Sequence, residues 1–270
     1  MKEIFNLEFI TPAFLCGAEQ NRAELRVPSI RGELRWWFRV LGTNLFDERE
    51  VFGGIRKTSP IASRVVIRTR DIKAKHEDLP RYAPMSDFGY LYYFASVSGK
   101  REGINRIAKE AFFSPGTRFV MEVFDRTENP LPDKDQKLLM LALQCFIRLG
   151  TLGLRSTRGC GAFCEPDNLL SKDEFEKWIE SLPSSVYIKA IDNPTANWKL
   201  CQEKLASYLR SFRRDNNLSG QSPSALGFSK GSERESSALR LRPVKIKEGY
   251  LPVIIYSDAA CSQPSIIEKL

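Results

Sequence analysis

The stretch Pro28-Ser29-Ile30-Arg31-Gly32-Glu33-Leu34-Arg35-Trp36-Trp37-Phe38-Arg39 decides how the rest of the chain is read. Ser29 is placed to cap a helix, because its hydroxyl can accept from an orphan N–H of the first turn. From there the spacing predicts a helix to about Leu45. At roughly 100° per residue, Leu34, Trp37, Phe38, Leu41 and Leu45 share one face. An apolar face of this kind packs on a sheet. Arg31, Arg35 and Arg39 follow one another at i, i+4 and i+8 along its flank. The stripe has two readings: the solvated flank of a core helix, or a surface for a polyanion assisted by the free N–H groups of the first turn. Gly32 weighs toward the second. A glycine there costs about 1 kcal/mol against alanine, and close approach of a ligand backbone is one reason to keep it.

Working outward, residues 2–10 alternate as a strand and Thr11-Pro12 ends it. After the helix, Gly53-Gly54 marks a turn before the polar run Arg56-Lys57-Thr58-Ser59-Pro60. Residues 62–71 read as a strand with Arg64, Arg68 and Arg70 on one face, which suits either solvent or a phosphate backbone. Residues 72–87 read as a charged loop, 88–97 as an aromatic strand, 98–116 as a polar insertion and 117–125 as a strand. Pro132-Asp133 opens a buried helix. The run Gly150-Thr151-Leu152-Gly153-Leu154-Arg155-Ser156-Thr157-Arg158-Gly159-Cys160-Gly161-Ala162-Phe163 follows it and leads into a short strand. The order is that of a βαββαβ ferredoxin-like (RRM-like) unit of the α+β class. It sets the boundary of an N-terminal domain at 1–168, with 169–270 as a C-terminal half. In that half a helix over 170–182 starts with a Ser171/Glu174 capping box. A strand at 185–191, a helix at 195–214 and a loop at 215–236 follow. A closing hairpin has one strand, 238–247, whose alternation flips at Pro243; a bulge is expected there.

Of 270 residues, 42% are hydrophobic and 27% charged, an ordinary globular composition. No apolar run is long enough to span a membrane. Six cysteines (16, 145, 160, 164, 201, 261) are scattered without a secretory signal, which favours free thiols and a cytoplasmic setting. The net charge of +8 and pI near 9.2 suit an anionic partner of some kind.

Two blocks carry a family resemblance. Phe9 to Gly17 with Arg26 to Arg39, and the glycine-rich run 150–163, resemble the N-terminus and glycine-rich loop of the RAMP superfamily. Within it the pattern is most similar to subunit one of the Cmr (type III-B) CRISPR effector complexes, which act in antiviral defence. The resemblance implies two tandem ferredoxin-like copies. It implies a non-catalytic subunit that contacts guide RNA near its 3′ end and the duplex with target single-stranded RNA, alongside other Cmr subunits. It also places the 56–60 segment close to the RNA. Two alternatives stay open: a RAMP endoribonuclease that processes CRISPR precursor RNA, and another type III backbone subunit.

The residues read as phosphate contacts are Arg31, Gly32, Arg35, Arg155, Ser156, Arg158 and Gly159, with Arg39 and Arg64 as further candidates. Gly150, Gly153, Gly159 and Gly161 would let the loop adopt positive φ and expose N–H groups as an anion nest, although a merely flexible loop is the plainer reading. Trp37 reads as core. Trp36 is open either to stacking on a base or to packing under the following loop. Catalysis has little support. The loop lacks the Gly-Lys-Ser/Thr of a P-loop. The single histidine, His76, reads as solvent-exposed. Cys160 and Cys164 lack a matching second pair for zinc. Asp47-Glu48-Glu50 reads as a solvated helix end. No metal or cofactor is expected.

Overall fold

The computed structural model describes residues 1–42, 45–80, 86–95, 107–126, 128, 130–218, 226–230, 233–235 and 237–257. Its elements in order are β1 (Lys2–Phe9), α1 (Val27–Val40), α2 (Leu45–Phe52), β2 (Gly54–Arg56), β3 (Ser59–Ile61), β4 (Val65–Lys73) and α3 (Asp87–Tyr92). Then come β5 (Arg118–Asp125), α4 (Asp133–Leu149), β6 (Phe163–Cys164), α5 (Lys172–Glu180), β7 (Val186–Ala190) and α6 (Trp198–Asp215). The last are β8 (Phe228–Lys230), β9 (Glu233–Glu235), β10 (Arg240–Ile246) and β11 (Gly249–Ser257).

Four strands form an antiparallel sheet in the order β4-β5-β1-β6. Two connections pass through helices, α1 between β1 and β4 and α4 between β5 and β6, so this is the βαββαβ arrangement of a ferredoxin-like unit. Alternation along β1 puts Leu7 and Phe9 inward, where they meet Phe119, Met121 and Val123 of β5. Leu34, Trp37 and Phe38 of α1 and Leu139, Leu143 and Phe146 of α4 close the same core. Trp37 is fully buried; its truncation to alanine would cost about 3–5 kcal/mol.

A second antiparallel sheet has the order β10-β11-β7, with α6 carrying the chain from β7 to β10. This repeats the order of the first three strands of the N-terminal unit. A fourth strand does not occur among the described residues, and residues 258–270 lie outside them. The two halves are welded. One apolar cluster runs from Leu7 and Trp37 to Val244 and Leu251, and a second joins Phe14, Phe88 and Cys160 to Leu205 and Leu241.

Several local readings are corrected. Helix α1 begins at Val27 behind Arg26, with Pro28 in its first turn and no side-chain cap, so Ser29 lies inside it. It ends at Val40, and Gly42 at φ 102° turns the chain before α2. The aromatic run after Asp87 is a short helix, not a strand. Phe88 and Tyr92, one turn apart, stack at 4.4 Å and pack against α6. Within the stretch read as a charged loop, Lys75 and Glu77 donate backbone N–H bonds to Thr117 and Ser114; residues 81–85 lie outside the described set. So does 96–106, the first half of the polar insertion. A small hairpin, β8-β9, occupies part of the segment read as loop. The capping box is formed as read: Ser171 and Glu174 exchange both hydrogen bonds.

The bulge at Pro243 is absent. Pairing runs without a slip from Arg240↔Ile255 to Ile246↔Gly249, with Pro243 opposite Pro252. An edge strand can hold a proline that donates nothing to the ladder. The apparent flip has another origin. Arg240, Arg242, Val244 and Ile246 share one side of β10, and that side begins with two buried arginines before it turns apolar.

Candidate nucleic-acid interface

The outer edge of α1 divides the arginine stripe. Arg35 Nε donates to Glu48 Oε1 of α2, and Arg39 Nη1 reaches both oxygens of that carboxylate at 3.1 and 3.0 Å. Glu48 is fully buried, so these two guanidiniums neutralise a charge that could not stand alone inside the protein. The acidic run is therefore not simply a solvated helix end. Arg35 and Arg39 still expose about a third and two fifths of their side chains. Arg31 differs. It is half-buried, its Nε is shielded from solvent with no acceptor, and it has no ion pair among the described residues. Beside it Gly32 is exposed, and a Cβ built there meets nothing within 4 Å. The fold does not require this glycine.

The glycine-rich loop is the opposite case. Gly161 (φ 67°) would place a Cβ 1.9 Å from the Leu152 carbonyl oxygen, and Gly153 (φ 91°) 2.4 Å from that of Phe14. Gly159 (φ 83°) lies against Pro243. The N–H groups of Leu152, Leu154, Ser156, Arg158, Gly159, Cys160 and Gly161 all donate to carbonyls of the protein. A nest of free N–H groups over these residues is thus corrected: positive φ serves internal packing. Gly159 and Gly161 are buried and not open to a ligand. Arg158 is also withdrawn, 8% exposed, donating to the Ser237 hydroxyl at 3.2 Å and the Leu226 carbonyl at 2.8 Å. What the loop presents outward is Leu154, 55% exposed, then Arg155 and Ser156. Arg155 adopts φ 61° and sets its guanidinium 5.5 Å from the centroid of the Phe94 ring. The Ser156 hydroxyl has no partner among the described residues.

Strand β10 connects the two elements. Arg240 donates to Glu33 of α1 at 2.7 Å and lies 3.5 Å from the centroid of the Trp36 ring. Trp36 is therefore covered by a guanidinium from the C-terminal half, and this, not the following loop, is where it packs. Two residues on, Arg242 is completely buried. Its Nε donates to the Leu149 carbonyl and Nη1 to that of Ser156, both at 2.6 Å. Burial pulls this guanidinium down to about 9, with the like charge of Arg240 acting in the same direction. Between them, Leu241 N–H donates to the Thr157 carbonyl at 3.0 Å. Three consecutive residues of β10 thus bind α1 and the glycine-rich loop to one support. In the sequence Arg240 and Arg242 alternate with Leu239 and Leu241, and nothing local marks them as buried.

The remaining candidates lie apart. Arg64 pairs with Glu50 at 3.4 Å. Arg70 pairs with Asp71 and Glu122, and Arg68 lies over Phe124, so the basic sheet face is largely self-neutralised. The β2-β3 hairpin projects Ile55, 66% exposed, beside Arg56 and Lys57. His76 is exposed as read, and its Nδ1 faces two backbone carbonyls, so it donates there. Among the described residues no group of three or more His, Cys, Asp or Glu side chains could hold a metal, and no helix is long and apolar enough to cross a membrane. The five cysteines described are unpaired thiols.

The chain matches the RAMP superfamily over residues 6–164. It is 32% identical over 180 residues to the CRISPR system Cmr subunit Cmr1-2 of Pyrococcus furiosus, covering 59% of this chain and 92% of that protein. It is 29% identical over 177 residues to subunit Cmr1-1 of the same organism, of which the match spans 46%. The crystal structure of Pyrococcus furiosus Cmr1 superposes over 98% of this chain and 90% of its own, with TM-score 0.59 and 23% identity. A chain of a type III-B Cmr-beta complex bound to cognate target RNA and AMPPnP, in the presence of ssDNA, superposes over 94% and 93%, with TM-score 0.57 and 13% identity. By its strand order, its two sequence blocks and these matches, the chain belongs to the RAMP superfamily, and within it resembles the Cmr1 subunits.

Proposed function

We propose that this chain is a non-catalytic, RNA-binding subunit of a type III-B Cmr effector complex. It would contact the guide RNA toward its 3′ end and the guide–target duplex, in company with other Cmr subunits. The observation that carries this reading is the open edge of α1. Arg31 has no counter-ion among the described residues, and Gly32 leaves space against the helix that the protein itself does not use. Strand β10 holds this edge and the Arg155-Ser156 tip of the loop on one framework, so both can meet one phosphate backbone. Arg35 and Arg39 add field through their exposed portions. Contacts of this kind read the backbone and leave sequence choice to base pairing.

The test is binding of a labelled single-stranded RNA to the purified chain across a salt series. Affinity should fall steeply with salt, and Arg31→Ala should weaken binding and reduce the slope of log K against log salt by about 0.7, one phosphate contact on a single strand. A flat salt dependence, or an unchanged slope in Arg31→Ala, would contradict the backbone model. The same RNA run on a denaturing gel should be intact; cut RNA would favour the endoribonuclease reading.

A further inference from the structure

At the far end of β10 from the candidate RNA edge lies a second concave site. Phe5, Leu143, Ile147, Phe175, Val244 and Ile246 line a pocket of about 190 Å³ between α4, α5 and β10. A volume near six waters holds one leucine- to phenylalanine-sized side chain. Arg148 also lines it. Its guanidinium lies 4.9 Å from the centroid of the Trp178 ring, its Nε is shielded from solvent without an acceptor, and among the described residues no carboxylate reaches it within ion-pair distance. Burial depresses its basicity, an effect that the nearby Cys145 and Glu165 only partly offset. Glu165, also in the wall, is engaged by Asn168 at 3.2 Å. Lys245 adds a second positive charge at the rim and lies 4.0 Å from the Tyr250 ring centroid.

A guanidinium held against an aromatic ring, with a donor edge unsatisfied, is the arrangement that takes a carboxylate edge-on. Below it the wall is apolar. We infer that this pocket receives an apolar side chain flanked by a carboxylate, Phe-Glu or Leu-Asp in kind, from a protein partner. The charge match favours that occupant. Two cations border an apolar cavity, and the wall carboxylate Glu165, which accepts from Asn168, offsets only part of their charge. A polynucleotide has phosphates but no aliphatic group for the cavity. The site is separate from the α1 edge, so its failure would leave the RNA-binding proposal untouched.

The experiment follows the Arg148 Nε–Hε resonance in ¹H–¹⁵N spectra of the full chain, assigned with Arg148→Lys. Acetyl-Ala-Phe-Glu-Ala-amide should shift it saturably and bind at least tenfold more tightly than the twin peptide with glutamine. Arg148→Gln should erase that difference, while Arg148→Lys should retain part of it. Thermal melts of both variants establish that the fold is intact. Single-stranded RNA should not displace the peptide. Equal binding of the two peptides, no shift at millimolar peptide, or displacement by RNA would overturn the inference. Tighter binding of free N-acetylphenylalanine than of the Glu peptide would overturn it too, in favour of a small organic acid.

Discussion

The N-terminal turns of α1 and the glycine-rich loop have much the same composition, glycines beside arginines, and opposite relations to the protein around them. In α1, Gly32 borders open space and Arg31 has no ion pair among the described residues. In the loop, Gly161 and Gly153 are pressed against carbonyls and Arg158 is consumed by internal hydrogen bonds. A glycine–arginine pattern is therefore not by itself an anion site. What separates the cases is whether the neighbouring chain has already occupied the space and the donors. The loop serves as a joint between the halves, and only its tip, Leu154 to Ser156, faces out.

The sharpest way to break this comparison is to add one methyl group to each glycine. Gly161→Ala forces a left-handed residue into the Leu152 carbonyl and should cost about 3 kcal/mol or more, seen in chemical denaturation. Gly32→Ala meets nothing and should raise stability by up to about 1 kcal/mol. Equal effects would erase the distinction between joint and open edge. Next in size is Arg242→Met. It removes the Arg242 donor from the Leu149 carbonyl and one of three donors from that of Ser156, and should destabilise by about 2–3 kcal/mol. A gain in stability would mean that burying an unneutralised guanidinium outweighs its hydrogen bonds.

A smaller contrast lies within α1. Arg35→Ala removes one of the two cations from buried Glu48 and should cost about 1–3 kcal/mol, whereas Arg31→Ala should leave the melting temperature unchanged. The smallest effect is remote from both regions. Ser171→Ala should cost about 1 kcal/mol through the lost capping box. The Ser171 backbone N–H, then Lys247, hold the Glu174 carboxyl down at about 2. Its folded value is depressed, so its contribution is complete above the ordinary 4.5 and fades as pH falls toward 2. Glu174→Gln should be less stable than the parent at neutral pH, and the difference should shrink over that window in acid titrations.

Much of the fold was legible because it depends on local periodicity. Alternation in β1 and β5, the 3.6-residue repeat of α1 and α4, and the Ser171 box each involve residues a few positions apart. What was not legible depends on distant partners. Glu48 looked solvated because nothing nearby shows that Arg35 and Arg39 enclose it. Gly159 looked like an anion nest because Pro243, against which it packs, lies more than eighty residues on. Trp36 could not be placed without Arg240. The aromatic run 88–94 has strand propensity, but its rings at helical spacing pack on α6, and tertiary burial overrode propensity. At the candidate site, the burial of Arg158, Gly159 and Gly161 was hidden for the same reason, since their packing partners lie far along the chain.

The central claim is that the open edge of α1 lies against an RNA backbone. The direct measurement is the affinity of single-stranded RNA for Gly32→Leu, with a thermal melt of the same sample. The side chain would fill space the free protein leaves empty, so the melting temperature should hold or rise while affinity falls at least tenfold. A stable Gly32→Leu protein that binds RNA as tightly as the parent would contradict the account.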